Sequence, residues 1–271
     1  MLLIREQKTG NRKQKTVLMR LSVIVIALNE EGNIGPCLES VRFADEIVVV
    51  DSGSTDRTVE LARNFTDRIF TVEWLGFGGT KNFALDQARG DWVFSLDTDE
   101  RVPEALKDEI LAVVQADAPL AAYKIPRKNY VGGRWIKNLG WYPDYTLRLF
   151  RRGQGRFGKR EVHEEVEVAG PVGWLRTPLE HYSYNNLGEY AARQDRYARL
   201  AAREMRKAGR RPWPGELIWR PALTFLNLFV LKKGFMEGGL GLNLALQSSR
   251  YNFLKYFYLR EFSRGVEREA H

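Results

Sequence analysis

Cysteine occurs once in the 271 residues, at Cys37, which leaves no intramolecular disulfide framework and no thiolate cluster for structural zinc. A lone cysteine fits a reducing compartment. Histidine is nearly as scarce, with three in the chain. Long apolar runs are missing as well. The first twenty residues carry Arg5, Lys8, Arg12, Lys13, Lys15 and Arg20 without the apolar core of a secretory leader, and residues 1–20 read as a basic, disordered tail. Met19, directly before the first convincing strand, is the expected natural start. The most apolar stretch, Leu217 to Leu231, is shorter than the roughly 20 residues of a membrane span, contains Arg220-Pro221 and runs into Lys232-Lys233. Internal repeats and low-complexity tracts are absent too.

Two glycine motifs for phosphate binding also fail. In Gly76-Phe77-Gly78-Gly79-Thr80-Lys81 the residues flanking the lysine are Thr80 and Asn82, where a P-loop needs Gly before it and Ser or Thr after it. The first strand is followed by Asn29-Glu30-Glu31-Gly32 without the spaced glycines of a dinucleotide fingerprint, which argues against an oxidoreductase.

What is present is material for one α/β core: 44% of residues are hydrophobic and 12% aromatic. The net charge of +8 predicts an anionic partner, for which nucleic acid, acidic lipid and a phosphorylated substrate all qualify on charge alone. Apolar runs at Leu21 to Leu28, Ile47 to Val50, Ile69 to Val72 and Trp92 to Leu96 alternate with helix-like segments, including Val59 to Phe65 and Lys81 to Ala88. Buried parallel strands look like this, and the repetition predicts a doubly wound, mostly parallel sheet with helices on both faces. After Pro126 the alternation stops, and Gly132-Gly133, Gly140, Pro143 and the run from Arg151 to Gly158 predict loops over the sheet. A helical pattern returns at Leu187 to Lys207.

Ligands in such sheets bind beyond the carboxyl ends of the strands. The polar residues there are Asn29-Glu30, Asp51 and Asp97-Thr98-Asp99. Any one of these reads equally as a helix cap or turn; three strand ends offering amides or carboxylates to one crevice is more than composition requires. Period-two alternation is expected to point Asp97 and Asp99 to the same side. Two carboxylates would repel a diphosphate, so the pair makes sense with Mg²⁺ or Mn²⁺ between them, both of which prefer hard oxygen ligands.

Ala27-Leu28-Asn29-Glu30-Glu31, Val49-Val50-Asp51-Ser52-Gly53-Ser54-Thr55-Asp56, Lys81-Asn82 and Gly90-Asp91-Trp92 through Leu96-Asp97-Thr98-Asp99-Glu100 together resemble the family-2 inverting glycosyltransferases, and most of all the bacterial lipopolysaccharide-core glucosyltransferase subgroup. The resemblance is specific over Leu21 to Val102 and extends through Arg148-Leu149-Phe150, Val162-His163-Glu164 and Lys233-Gly234-Phe235. It implies a GT-A fold, with a catalytic domain at 21–186, divided into a nucleotide-sugar half (21–102) and an acceptor half (103–186), and a helical extension at 187–271. It implies that Ala27, Leu28, Asn29 and Glu30 border the nucleotide, that Asp51 contacts its base or ribose, that Lys81 and Asp97 lie beside the nucleotide sugar, and that Asp99 is the main metal carboxylate with Asp97 as its companion. His181, in the aromatic run His181-Tyr182-Ser183-Tyr184, is expected to complete the metal or diphosphate site, against the plainer reading of a hydrogen-bonded structural histidine.

Inverting transfer needs a base beside the acceptor hydroxyl. Glu164 in Val162-His163-Glu164-Glu165 is the first choice, Asp144 the rival, and Glu165 stands if the register slips by one. Arg148 and His163 are placed on the acceptor or phosphate side, Arg148 alternatively as an ion-pair partner of Asp144. The expected activity is metal-dependent transfer of a hexose, with glucose favoured, from a UDP-sugar to a lipopolysaccharide inner-core sugar. A polyprenyl phosphate or peptide acceptor is the alternative. A non-enzymatic basic protein binding membrane or nucleic acid is discounted, because clustered carboxylates do not suit a phosphate-backbone crevice. Leu217 to Leu231 reads either as an amphipathic segment on anionic lipid, with Trp213, Trp219, Phe225 and Phe229, or as a helical cap on the sheet domain. The first option places the protein peripherally on the cytoplasmic face of the membrane.

Overall fold

The computed structural model describes residues 20–116, 119–158 and 166–264. The basic tail expected upstream of Arg20, and His163, Glu164 and Glu165, lie outside the described residues.

The chain opens with β1 (Leu21–Ala27), α1 (Ile34–Glu39), β2 (Glu46–Asp51), α2 (Thr58–Ala62), β3 (Ile69–Thr71), α3 (Gly76–Gln87) and β4 (Trp92–Asp97). These strands run in parallel in the order β3-β2-β1-β4. Both faces of the sheet are apolar, so β1 reads as an unbroken hydrophobic run. Val23 and Val25 of β1 pack on one face with Ile34 and Leu38 of α1 and Leu106 and Ile110 of a later helix. Ile24 and Ile26 face the other side, with Ala84 and Leu85 of α3.

The predicted start of the third helix, Lys81, falls five residues late. The glycine-rich stretch before it is already helical because α3 lies against the chain at Gly158: a Cβ on Gly78 would stand 2.3 Å from the Gly158 carbonyl oxygen. Glycine serves close packing here rather than a phosphate loop.

Beyond β4 come β5 (Glu100–Arg101), α4 (Glu104–Gln115), β6 (Ala122–Val131), β7 (Arg134–Trp135), β8 (Asp144–Arg151), β9 (Gly155–Phe157), β10 (Val166–Val168), β11 (Val172–Trp174) and β12 (Leu179–Tyr184). The stretch expected to be loops after Pro126 is largely sheet. Strand β8 runs antiparallel to both β4 and β6, and β12 lies parallel to β6. The main sheet is therefore mixed, ordered β3-β2-β1-β4-β8-β6-β12-β5. Pro126 sits within β6 opposite Tyr145. Strand β6 escapes the reading of its sequence because Lys124, Pro126, Arg127 and Lys128 interrupt the apolar pattern, and several of these side chains face a cleft rather than core.

A helical region follows: α5 (Leu187–Lys207), over the stretch predicted as helix, then α6 (Glu216–Phe225), a π-helical turn (Leu226–Leu231), a 3₁₀ turn (Gly234–Glu237) and α7 (Gly238–Ser263). Asn186 caps α5 by accepting a hydrogen bond from the Glu189 N–H at 2.9 Å. Helices α5 and α7 bury Ala202, Tyr256, Leu259 and Phe262 between them, while Leu244 and Ala245 of α7 pack with Val131, Ile136 and Leu139 of the sheet domain. Among the described residues no helix is long and apolar enough to cross a membrane.

Candidate active site

Parallel pairing brings the polar strand ends together. Ala27 is level with Asp51, and Ile26 with Asp97, so Asp51 and Asp97 end the two strands flanking β1, about 10 Å apart at the usual strand spacing.

The loops after β1 and β2 form one unit. Asn29 adopts a left-handed backbone at φ 55°, a conformation asparagine tolerates better than most residues. Its side-chain oxygen accepts from the Thr55 N–H at 2.8 Å while its own N–H donates to Ser54 Oγ at 2.8 Å. The Glu30 N–H donates to Thr58 Oγ1 at 2.7 Å. Asp51 is buried; its Oδ2 accepts from the N–H groups of Gly53 and Ser54, each at 3.0 Å, and its Oδ1 from the Ser54 hydroxyl. Ala27 is buried and Leu28 exposed at the loop's root.

At the end of β4 the two carboxylates part company. Thr98 and Asp99 form a turn instead of continuing the strand, so the alternation expected to align Asp97 with Asp99 is broken between them. Asp97 Oδ1 pairs with Lys81 Nζ at 2.9 Å, and its Oδ2 with Arg148 at 2.5 Å. Arg148 is 4% exposed and bonds through the same nitrogen to Glu100 Oε1. Glu100 is fully buried, accepts from the Asp97 N–H at 3.0 Å and lies 3.5 Å from Arg127. Partial burial would raise the Asp97 carboxyl, but the charges of Arg148 and Lys81 outweigh it and hold the carboxyl well below the usual carboxylate range. Burial works against the Arg148 charge; Asp97 and Glu100 overcome it and keep the guanidinium more firmly protonated than usual.

Asp99 turns to His181. Strand β12 pairs with β5 so that His181 is level with Glu100, and His181 Nε2 comes within 3.2 Å of Asp99 Oδ2. On its other side His181 Nδ1 meets Asn129 Oδ1 at 2.7 Å. The orientation of the Asn129 amide follows from its neighbours: its NH₂ donates to the Trp141 carbonyl at 3.1 Å and to Asp144 Oδ2 at 3.3 Å, both acceptors only. Asn129 Oδ1 therefore faces a proton on His181 Nδ1, which leaves Nε2 facing Asp99 with a lone pair in the neutral ring and with an N–H in the charged one. Two acceptors at 3.2 Å repel unless a proton or a metal cation lies between them.

Among the described residues no three His, Cys, Asp or Glu side chains converge as a metal cage. Of the expected set Asp97, Asp99 and His181, the structure engages Asp97 with Lys81 and Arg148 and brings Asp99 and His181 together. That pair fits a hard divalent ion by its chemistry. It supplies one carboxylate oxygen and one imidazole nitrogen, with the ring oriented from behind by Asn129 as metal-bound histidines are, and 3.2 Å is close to the ~3 Å between neighbouring ligand atoms on an ion with ~2.1 Å bonds.

Asp144 is paired with Arg127, not Arg148. Arg127 reaches its Oδ2 at 2.6 and 3.1 Å, and Asn129 reaches the same oxygen. Asp144 also lines two neighbouring clefts. The larger, of about 420 Å³, presents the cations Lys81, Lys124, Arg127 and Arg148 against the anions Asp97 and Asp144. The smaller, of about 290 Å³, is bounded by Asn129, Gly140, Trp141, His181 and Arg193. Glu100, Lys124, Arg127, Asn129 and Arg193 were not singled out in the sequence. Glu100 directly follows Asp97-Thr98-Asp99 and was open to view; Lys124, Arg127 and Asn129 belong to β6, whose strand pattern Pro126 and the charges conceal, and Arg193 lies on α5.

The family described as "Glycosyl transferase family 2" matches residues 22–170, over half of the chain, and covers the site residues from Ala27 to Arg148, with His181 and Arg193 beyond it. The lipopolysaccharide core biosynthesis glycosyltransferase LpsC of Rhizobium meliloti is 35% identical over 247 residues, covering 86% of this chain and 89% of that protein. The chain belongs to glycosyl transferase family 2. An uncharacterized glycosyltransferase of Rickettsia bellii is 28% identical, over 90% of this chain and 87% of its own length. Among solved structures, S. aureus TarS 1–349 in complex with UDP aligns over 91% of this chain and 92% of that one, at 19% identity and a TM-score of 0.47. This family-2 glycosyltransferase has the GT-A architecture expected of it: a parallel β3-β2-β1-β4 half ending in the Asp97–Asp99 turn, an antiparallel continuation through β8 and β6, and a helical C-terminal region.

Proposed function

We propose that this glycosyltransferase moves a hexose, with inversion, from a UDP-sugar to a membrane-linked acceptor, a lipopolysaccharide inner-core sugar, and that Asp99 and His181 hold the divalent cation. The carrying observation is the approach of the Asp99 carboxylate and the His181 imidazole to 3.2 Å, beside a cleft whose lining cations outnumber its anions. Such a cleft suits a diphosphate. A bound Mg²⁺ or Mn²⁺ stabilises the charge that develops on the departing diphosphate.

The chain's own residues divide the remaining work. Asn29, Glu30 and the Asp51 loop form a hydrogen-bonding rim for the neutral nucleoside at the β1–β2 end, where Asp51 Oδ1 keeps an acceptor position beyond those its own loop uses. Lys81 and Arg148 hold Asp97 as an anion, and Lys81 stands where the sugar diphosphate enters the cleft. A base must take the acceptor hydroxyl proton as that oxygen attacks the anomeric carbon from the face opposite the diphosphate. Glu164 is assigned this role on the family resemblance. Asp144 is the second choice: it lies between the two clefts, but the oxygen it offers Arg127 is charge-paired, which weakens it as a proton acceptor. Likeness to LpsC supports the acceptor class, and a lipid-linked acceptor agrees with a peripheral position on the cytoplasmic membrane face.

Thermal-shift measurements across UDP-sugars, with and without Mn²⁺, test the donor, since a ligand that binds only the folded chain raises its stability. Stabilisation by one UDP-sugar only in the presence of metal is the expected result. No response to any nucleotide sugar under either condition removes the reading.

A further inference from the structure

The helical region exposes a series of large apolar side chains, and a contiguous exposed apolar patch marks an interaction surface. Ile218, Ala222, Leu226 and Val230 follow one another at intervals of four along α6 and the π-helical turn, all exposed, so they share one side. Leu242, Leu246, Phe253 and Phe257 form a second exposed stripe on α7. The two helices are joined by hydrogen bonds from Ser249 Oγ to the Pro221 carbonyl and from Asn252 Nδ2 to Thr224 Oγ1. At the bend between them Leu231 is 71% and Met236 61% exposed, while Ile218 reaches 78%.

Charge decides what covers this face. From Leu217 to Arg260 the chain carries the cations Arg220, Lys232, Lys233, Arg250, Lys255 and Arg260 and a single carboxylate, Glu237. Glu237 is 4% exposed and turned inward: its Oε1 accepts from the N–H groups of Lys137 and Asn138 at 3.0 and 3.1 Å and from the Asn138 amide at 2.8 Å. Arg220 pairs with Glu216 and Arg250 with Asp195, so the positive charge most open to solvent is that of Lys232 and Lys233 at the bend, beside exposed apolar side chains and with no exposed carboxylate from Leu217 to Arg260. A second copy of the same face would bring cations against cations. An anionic bilayer satisfies both features at once, because acyl chains accept the apolar ridge and headgroup phosphates the lysines and arginines.

The bend is also bolted to the site. The Leu139 N–H donates to the Lys232 carbonyl at 2.9 Å, Glu237 fixes residues 137 and 138 as above, and the next two residues, Gly140 and Trp141, line the smaller cleft. We infer that the apolar face of α6 and α7, with the bend at Leu231 to Met236, docks on an anionic lipid bilayer and thereby holds the cleft bounded by Trp141, Asp144 and His181 at the membrane surface. The docking stands on the surface itself; its service to catalysis rests on the membrane-linked acceptor proposed above.

Flotation of the full chain with phosphatidylcholine vesicles, with and without phosphatidylglycerol, tests it. The chain is expected to float with the anionic vesicles at low salt, to leave them as salt screens the headgroups, and to stay behind with the neutral ones. The triple substitution I218S/L231S/M236S is expected to weaken partition roughly tenfold or more, with an unchanged melting temperature and an unchanged stabilisation by UDP-sugar and Mn²⁺. Failure of the full chain to float with anionic vesicles at low salt overturns the inference, as does a triple variant that floats like the parent. So does sedimentation equilibrium that finds a dimer converted to monomer by the same substitutions, which assigns the face to a second copy. A chain that floats but gains no stability from any UDP-sugar keeps its lipid surface and loses the donor reading, so the two proposals fail separately.

Discussion

His181 Nε2 faces Asp99 Oδ2 across 3.2 Å, while Asn129 Oδ1 takes the proton on the opposite ring nitrogen. The tautomer is dictated at one remove, by the Trp141 carbonyl and the Asp144 carboxylate that orient the Asn129 amide. A histidine that binds a metal through one ring nitrogen is held through the other in this way.

Asp99→Ala and His181→Ala are each expected to abolish metal-dependent donor binding while the chain stays folded, since Asp99 sits in the turn after β4 and His181 lines the smaller cleft, both only half-buried. Calorimetric titration of a UDP-sugar in the presence of Mn²⁺ measures this. Asn129→Ala is expected to weaken metal affinity by roughly 10- to 100-fold, the usual cost of losing the group behind a ligand. Normal donor affinity in both ligand variants places the cation elsewhere.

Asp97 is expected to act mainly on stability. Asp97→Asn leaves Lys81 and the buried Arg148 short of their counter-charge, at a cost of about 2–3 kcal/mol; a fully buried pair loses about 3–5. The folded-state carboxyl lies below its ordinary value of 3.8. Its stabilisation is therefore complete above that value and drains away as pH falls through the folded-state value, because the unfolded chain binds the proton first. Melting temperatures of parent and variant should differ by a constant amount near neutrality and converge in acid below 3.8. A gap that widens in acid contradicts the ion-pair account.

The base is tested by rank. Glu164→Gln is expected to preserve donor affinity and to lower turnover by roughly 10²-fold or more, the scale of general-base catalysis. Asp144→Asn and Glu165→Gln should be milder. A reversed order, with Asp144→Asn the most damaged, hands the role to Asp144 and frees it functionally from Arg127. Near-normal turnover in all three removes a carboxylate base from this region, and a product with the donor's anomeric configuration removes single displacement altogether.

The nucleotide half was the more legible part because a buried parallel strand writes itself as a continuous apolar run, and polar residues stop that run where the crevice begins. Asn29, Asp51 and Asp97 were all found in this way. The divergence of Asp97 and Asp99 was not legible. The partners that separate them, Arg148 and His181, lie 51 and 82 residues away along the chain, and the Thr98-Asp99 turn cancels the period-two rule over the two residues where it was applied. Strand β6 was hidden for a related reason: a strand that lines a polar cleft loses the alternation by which strands are recognised, so Lys124, Arg127 and Asn129 passed unnoticed.

The sequence by itself determined the chemistry on offer: which strands carry carboxylates to their ends, which family they belong to, and that one C-terminal stretch is apolar and basic. These are properties of neighbouring residues, fixed by hydrophobic period and composition. Only the tertiary structure decided which charge meets which. It gave Asp97 to Lys81 and Arg148, Asp144 to Arg127, and Asp99 to His181. It also buried Glu237, the one carboxylate of the C-terminal stretch, against residues 137 and 138. Electrostatic pairing depends on distance through space and on the water each group gives up, and neither is written in the order of residues along the chain.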